Sequence, residues 1–425
     1  MTLFPRSAAL TLILAAGFAP QAFAAGFQLR EQSTSSQGNS FAGVSAGGSD
    51  ISSMFFNPAT MTQFNRNEVV AGASLVVPSA ELRNAKSSVT TGPATADAGY
   101  AAVLPSLYAM WNLSPDLKLG FSVNVPFGMA TKYDSDFVGR FHAIKSDLQM
   151  IDLSPSIAFR INSQWSVGAA FVARSAKAQL TNALNLGAAG EGFSDMSANS
   201  WGYGYRLGVT WQPTPALRAG LGYQSSVTEK LRGNVTFQLP GAAAPTYQAL
   251  GFRTTNVGTD LKLPSTLSLG VNYDLTKNVS IQAEVSRTDW SCFGVLDISF
   301  YDNINEGLYL QHAKTEEHWR DTYFVSLGAT WRASEAWTLR AGVAHDQSAC
   351  NDTYRTPRIP DCDRTWISVG ASHAFTKALS ADIALTHIFC EDGALNVLDA
   401  SSKGNLSGTY KNQINIASVA ARYRF

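Results

Sequence analysis

Long apolar runs are missing from this 425-residue sequence. Beyond its first two dozen residues, no stretch approaches the ~20 apolar residues that a helix needs to cross a bilayer. Charge is scarce as well: 15% of residues are charged, and the 32 basic and 32 acidic residues cancel. A basic tract is absent, which argues against nucleic acid as a partner. No glycine-rich phosphate loop is present, so no nucleotide energy source is read. No Gly-x-Ser-x-Gly elbow accompanies the six histidines, which leaves a membrane lipase or protease without its nucleophile. Cysteine is limited to four residues. No Cys or His pair has finger-like spacing, so neither metal nor cofactor is expected.

What is present is an export signal followed by a strand rhythm. Residues 1–24 read as a secretory signal peptide, with Arg6 in the charged region, an apolar stretch over 8–18 and Ala22-Phe23-Ala24 as a small-x-small cleavage site. The mature chain then begins at Ala25-Gly26-Phe27. Short connections at 112–116, 161–164, 212–216, 274–278, 332–335 and 375–378 alternate with long polar loops near 80–100, 132–146, 181–198, 229–257, 293–317, 349–362 and 392–406. These thirteen connections imply 14 strands. Short turns on one side and long loops on the other are the layout of an outer-membrane barrel. A zero net charge with a mean hydropathy near zero suits a wall that is apolar outside and polar inside.

The alternation is explicit. Leu117, Leu119, Phe121 and Val123 interleave with Lys118, Gly120, Ser122 and Asn124. Val279, Ile281, Ala283 and Val285 do the same with Ser280, Gln282, Glu284 and Ser286. Trp337, Leu339, Ala341 and Val343 alternate with Thr338, Arg340, Gly342 and Ala344. Aromatics at strand ends (Trp111, Trp165, Trp201, Trp211, Trp331, Trp337 and Trp366) suit interfacial girdles. In hydrocarbon every backbone amide needs a partner, so the sheet must close. Ala417, Val419, Ala421, Tyr423 and the terminal Phe425 form an apolar face of the kind that outer-membrane assembly machinery reads. An even strand number puts both termini and the short turns on the periplasmic side, with the long loops outside. The expected architecture is an all-β, 14-stranded antiparallel transmembrane barrel over 67–425, in the bacterial outer membrane, monomeric and in contact with lipid and lipopolysaccharide.

Two segments break the rhythm. Residues 25–66 lack alternation and carry one apolar cluster, Met54-Phe55-Phe56, followed by Asn57-Pro58-Ala59. A barrel of this size has a lumen wider than its own side chains fill, so this segment is expected to fold inside as a plug, with Asn57 capping a helix that Pro58 begins. In the third strand, Pro126-Phe127-Gly128 interrupts the pattern. Proline cannot donate to the ladder and glycine weakens it. The residues leave two readings open: an inward kink that opens a side window to the bilayer, or a bulge near the rim. The cysteines suit an oxidising compartment. Cys350 and Cys362 bracket one loop and are expected to pair, whereas Cys292 and Cys390 lie at strand ends on the same side. Four cysteines allow three connectivities, among which the sequence does not choose.

The ordered set of motifs resembles the FadL/TodX-type family of outer-membrane long-chain fatty acid and hydrocarbon transporters. The carrying residues are Ala25-Gly26-Phe27-Gln28-Leu29, Asn57-Pro58-Ala59, Asn199-Ser200-Trp201-Gly202-Tyr203-Gly204, Leu263-Pro264, Thr288-Asp289-Trp290-Ser291, Arg320-Asp321-Thr322-Tyr323 and Ile359-Pro360-Asp361 with Asp363-Arg364. The resemblance implies an N-terminal hatch, a kinked third strand that releases apolar substrates sideways, and a pocket into which Phe27 reaches and whose opening displaces the N-terminus. It implies passive uptake of a hydrophobic ligand, a long-chain fatty acid before a neutral aromatic or aliphatic hydrocarbon. Arg320 falls where the family carries a pocket lysine. The alternation of Tyr323, Val325 and Leu327 puts it on the lumen side, where it would take a carboxylate. A second family cation falls near Asn182, which is not basic and leaves room for a neutral substrate. Arg174 and Lys177 share that strand. The rival readings are an outer-membrane enzyme, an open porin and an adhesin.

Overall fold

Alternating side chains pointing to opposite faces dictate the wall. In the segment Thr266–Asp274, Leu267, Leu269, Val271 and Tyr273 face outward while Ser268, Gly270 and Asn272 are buried inside. The computed structural model describes residues 26–301 and 312–425; the expected export signal at 1–24 lies outside the described residues. Within them, one antiparallel sheet of 21 strand segments closes on itself. One segment, Ala96–Asp97, is a short bracket on the first strand, and six wall strands are each broken into two pieces, which leaves a barrel of 14 strands.

In chain order the strands are β1 Glu68–Ser87, β2 Ala102–Asn112, β3 Leu117–Asn124 with Gly128–Lys132, β4 Lys145–Arg160, β5 Trp165–Asn185, β6 Glu191–Trp211 and β7 Leu217–Gln224 with Val227–Gln238. Then follow β8 Thr255–Leu263 with Thr266–Asp274, β9 Val279–Thr288 with Val295–Phe300, β10 His312–Glu316 with Thr322–Arg332, β11 Trp337–Asp346, β12 Arg364–Ala374, β13 Leu379–Cys390 with Gly393–Val397, and β14 Leu406–Arg424. Closure runs from Glu68 opposite Arg424 to Ser87 opposite Leu406. Among the described residues every wall strand has a strand neighbour on both sides over part of its length, as a wall in hydrocarbon requires.

Two expectations change. The stretch 181–198 is mostly strand: β5 and β6 are each 21 residues long, about twice the 9–11 residues that span a membrane. Regular apolar alternation covers only part of each strand, whereas the backbone ladder runs on unbroken from Trp165 opposite Trp211 to Asn185 opposite Glu191. Trp366 is not a girdle residue. It is buried in the lumen, where its ring meets Phe41 at 6.3 Å and Phe324 at 5.9 Å.

The leading segment contributes no wall strand. It runs through the lumen as a helix α1 Thr34–Gln37 and three 3-10 turns, Val44–Ala46, Ile51–Phe55 and Pro58–Gln63. Ser33 caps α1 by accepting the Ser36 amide at 3.2 Å. Asn57 caps the last turn by accepting the Ala59 amide at 3.0 Å, and its Nδ2 donates to Ser45 O at 2.7 Å and to Val209 O of β6 at 3.0 Å. Wall and plug approach so closely here that a Cβ on Gly208 would overlap Asn57 Oδ1, and one on Gly168 the Ala59 amide. Glycine at these positions is a matter of space.

Candidate ligand pocket and gate

The break in β3 follows from one extra residue. Asn124 faces Asp152, and four residues later Gly128 faces Gln149, three residues back along β4. Val125-Pro126-Phe127 bulges inward, and all three are buried. Above Leu107, which faces Val123, β2 has no partner on this side: Ala102–Ser106 pairs with β1 alone. Gly128–Lys132 has β4 as its only strand partner, and at its end Lys132 N donates to Ala98 O at 3.2 Å. The wall is therefore unzipped between the two strands, and Pro105, which has no amide proton, sits in the unzipped stretch.

The kinked backbone is not left unpaired. Leu29 N donates to Pro126 O at 2.8 Å, Gly128 N donates to Phe27 O at 2.9 Å, and Gln28 bridges Phe127. Gln32 closes the patch, its Nε2 donating to Val125 O at 2.7 Å and its Oε1 accepting Val125 N at 3.2 Å. The first residues of the plug thus serve as the missing neighbour of β3, as an inward backbone requires.

Across the ring, β9 and β10 are broken too. The breaks turn Trp290, Phe293 and Trp319 into the lumen, all buried. They surround Phe27, whose ring lies 4.8 Å from Trp290, 5.9 Å from Phe293 and 5.6 Å from Trp319. Phe127, from the opposite wall, completes the cluster at 6.1 Å. These spacings are those of favourable edge-to-face pairs. Beside the cluster an apolar cavity of about 80 Å³ is lined by Phe27, Met129, Leu148, Leu231, Leu261, Ile298 and Ile359. Trp290, Phe293 and Trp319 were not singled out from sequence as pocket residues. Their signal was the loss of alternation around Asp289-Trp290-Ser291 and Trp319-Arg320-Asp321.

Phe55 and Phe56 lie deeper, packed on each other at 5.0 Å, with the Arg206 guanidinium 4.2 Å over the Phe55 ring. Arg206 shares Asp152 with Arg174, whose Nε–Oδ1 contact is 2.6 Å. Arg174 also covers the Phe127 ring at 4.7 Å. Arg174 is thus engaged by a buried carboxylate, and this triad joins the kink to the plug.

Arg320 does not reach the cavity. Its side chain is 56% exposed; Nε donates to Ser348 O at 3.0 Å, and Nη2 meets Asp363 at 3.5 Å. The alternation from Thr322 onward is regular, but 317–321 forms no strand, so Trp319 turns inward and Arg320 outward. Arg358 is next in sequence to Ile359, which lines the cavity. Its Nη1 donates to Ser146 Oγ at 3.0 Å and to Lys145 O at 3.3 Å, and among the described residues no carboxylate lies within ion-pair distance of it. Burial lowers it to about 10, against the pull of Glu317 and Tyr133, so it stays charged at neutral pH. Burial raises Glu317 to about 8, opposed by the Trp319 indole and by Arg358. The pair is therefore net positive at pH 7. Arg358 also lines a cleft of about 620 Å³ at the long-loop end, with His142, Tyr354 and Lys403. At the short-turn end a polar hollow of about 310 Å³ is lined by Arg218, Arg332, Arg340 and Arg422.

All four cysteines are free thiols in this structure, so it does not show the expected Cys350–Cys362 bond. The Cys350 thiol donates to Asn351 O at 3.4 Å. The loop between them folds around Asp361, which turns the two side chains to different neighbours.

A model of a family described as outer membrane protein transport protein (OMPP1/FadL/TodX) matches residues 15–425. The "47 kDa outer membrane protein" of Pasteurella multocida is 31% identical, with 96% of each chain covered. A "long-chain fatty acid transport protein" of Salmonella typhi is 29% identical over 97% of this chain and 98% of its own length. Among solved structures, a Pseudomonas aeruginosa FadL homologue superposes with TM-score 0.86 at 23% identity, covering 94% of this chain and all of that one (100%). The P. putida toluene transporter TodX superposes with TM-score 0.70 at 18% identity over 88% and 94% of the two chains.

Proposed function

Since this chain belongs to the OMPP1/FadL/TodX family of outer-membrane transport proteins, channels for hydrophobic substrates and not enzymes, we propose that it takes up long-chain fatty acids passively and releases them sideways through the break beside β3. Ligand enters from the long-loop side, past the cleft. The alkyl chain fills the cavity at Phe27, where each buried CH₂ contributes about 0.8 kcal/mol. The carboxylate meets Arg358, a charged donor with no carboxylate of its own among the described residues. To enlarge the cavity, Phe27 leaves the aromatic cluster. Its backbone pairs with the kink, so residues 26–32 and Val125-Pro126-Phe127 shift together, and the unzipped stretch between β2 and β3 becomes the exit. The single observation that carries this reading is the pairing of the kinked β3 backbone with the plug's first residues: one movement opens pocket and wall. Phe425 closes the last strand, and the reading that assembly machinery recognises this end goes with it.

The test separates route from substrate. Deleting Phe127 together with Pro126→Val removes the extra residue and lets β3 zip to β2. In cells lacking any other such channel, palmitate uptake should fall to background, while the purified variant still folds, judged by its heat-modifiable gel shift, and still binds palmitate. Uptake at the wild-type rate would refute the lateral route. Arg358→Met should weaken palmitate binding by about tenfold or more, the worth of a hydrogen bond to a charged group, and leave toluene binding unchanged. Equal loss for both ligands would remove the carboxylate from the reading. A neutral hydrocarbon is the second reading. The cavity wall is apolar, and Asn182 uses its amide on Ala183 O at 2.8 Å and supplies no cation.

A further inference from the structure

Asp361 is the fixed point to which the start of the plug is tied. Gly26 N donates to Asp361 Oδ2 at 3.0 Å. The same oxygen accepts Ala349 N at 3.0 Å and Ser348 Oγ at 2.8 Å, while Oδ1 is paired with Arg364. A carboxylate held on so many sides is positioned by its loop. The loop in turn has one attachment with the right chemistry for a covalent bond. The residue after Asp361 is Cys362, and its thiol neighbours the thiol of Cys390. The backbones converge there as well: Arg364 faces Cys390 across β12 and β13, and Glu391 N donates to Asp363 O at 3.0 Å. The other two thiols have carbonyl partners, Cys350 on Asn351 O at 3.4 Å and Cys292 on Lys262 O at 3.5 Å.

We propose that Cys362 and Cys390 are joined by a disulfide in the mature protein, a staple that fixes Asp361 beneath the start of the plug. An envelope protein passes an oxidising compartment in which such pairs form and persist. The two thiols give up two protons and two electrons as the S–S bond forms. A disulfide-bearing oxidant of the cell envelope accepts them and leaves as a dithiol. Burial works against the Cys362 thiolate, but the neighbouring Cys390 thiol and the Arg364 guanidinium outweigh it and hold this thiol below its ordinary pKa, which favours the attacking species. The bond itself is independent of transport; its consequence rests on the gating reading. With the staple in place, Asp361 keeps its position when Gly26 lets go, so the gate has a fixed seat to return to. Without it, the seat moves with the loop.

The test is a thiol map of the full mature protein purified from cells under air. Free thiols are alkylated before any reduction, and the digest is read by mass spectrometry. A cross-linked peptide pair carrying Cys362 and Cys390, with Cys292 and Cys350 alkylated, supports the staple. A Cys350–Cys362 linkage, or four alkylated thiols, overturns it. In hydrogen exchange, Cys362→Ser, Cys390→Ser and the double variant should each speed exchange around Phe27–Leu29 several-fold and to the same extent, because either substitution breaks the same bond. Cys350→Ser should leave it unchanged. Wild-type exchange in all three variants overturns the role as a seat, even where the map finds the bond. Palmitate uptake by the β3 variant described above reports on the transport reading separately.

Discussion

The two ends of the plug are held by different physics. The lower part, from α1 to the turn at Pro58–Gln63, is tied to many wall strands by short polar contacts: Gln37 to Thr386 at 3.2 Å, Ser40 to Ser368 at 2.8 Å, Asn272 to Gly47 O at 2.8 Å and Thr62 to Ser166 at 2.9 Å. These groups sit in a confined lumen, where an unmade hydrogen bond costs about 1–3 kcal/mol, so the base resists displacement as a unit. The tip, residues 26–32, is held by a ring of aromatic contacts and by backbone bonds to a strand that is itself broken. Apolar contact is non-directional and can be exchanged for contact with an apolar ligand. Under the proposed function a hydrophobic solute therefore competes for the tip and not for the base. On the proposed reading, the gate is a short peptide and its strand partner, while the rest of the plug stays as a stopper against ions.

This contrast can be broken from either side. The largest effect is expected for Phe27→Ala. A buried phenylalanine removed from a packed core costs about 3–5 kcal/mol. Amide exchange should rise strongly over Phe27–Leu29 and stay at wild-type level around Ser36–Asn57. Uniform loosening of both regions would show that base and tip are one element. Next comes Gly208→Leu, which drives a side chain into Asn57; overpacking of this kind costs about 1–3 kcal/mol. Ion conductance in planar bilayers should rise while palmitate binding at the tip persists. Unchanged conductance would deny the base its role as stopper. The smallest effect concerns pH. Glu317 is held up to about 8 by burial, so it ionises as pH rises through that value and then offsets Arg358. Palmitate affinity should fall a few-fold between about pH 7 and 9, toluene affinity should not, and Glu317→Gln should flatten the palmitate profile. A flat wild-type profile would separate Glu317 from the headgroup site.

Strand number, closure and the direction of each wall face were readable from period-2 patterning, because a wall between lipid and lumen leaves that pattern little freedom. The Pro126-Phe127-Gly128 break was readable as a break, since proline and glycine announce themselves. Its direction was not, because whether a bulge turns inward depends on what pairs with it, and that partner lies about a hundred residues away in the plug. Arg320 shows how parity fails. Counting back from Tyr323 is valid while the strand is regular, and the irregular stretch 317–321 resets the count, which exchanges the roles of Trp319 and Arg320. Arg358 carries no local signal at all; the headgroup role proposed for it depends on how its loop folds beside Ile359.

The sequence by itself determined an exported, closed and alternating wall with one segment left over and one strand interrupted, for these are local statements about period, turns and composition. Which residues meet inside was decided by the tertiary structure. Phe27 touches Trp290 and Trp319, and Arg364, two residues after Cys362, faces Cys390, because contacts across a lumen join positions far apart in the chain, and no local pattern encodes which of them the closed barrel brings together.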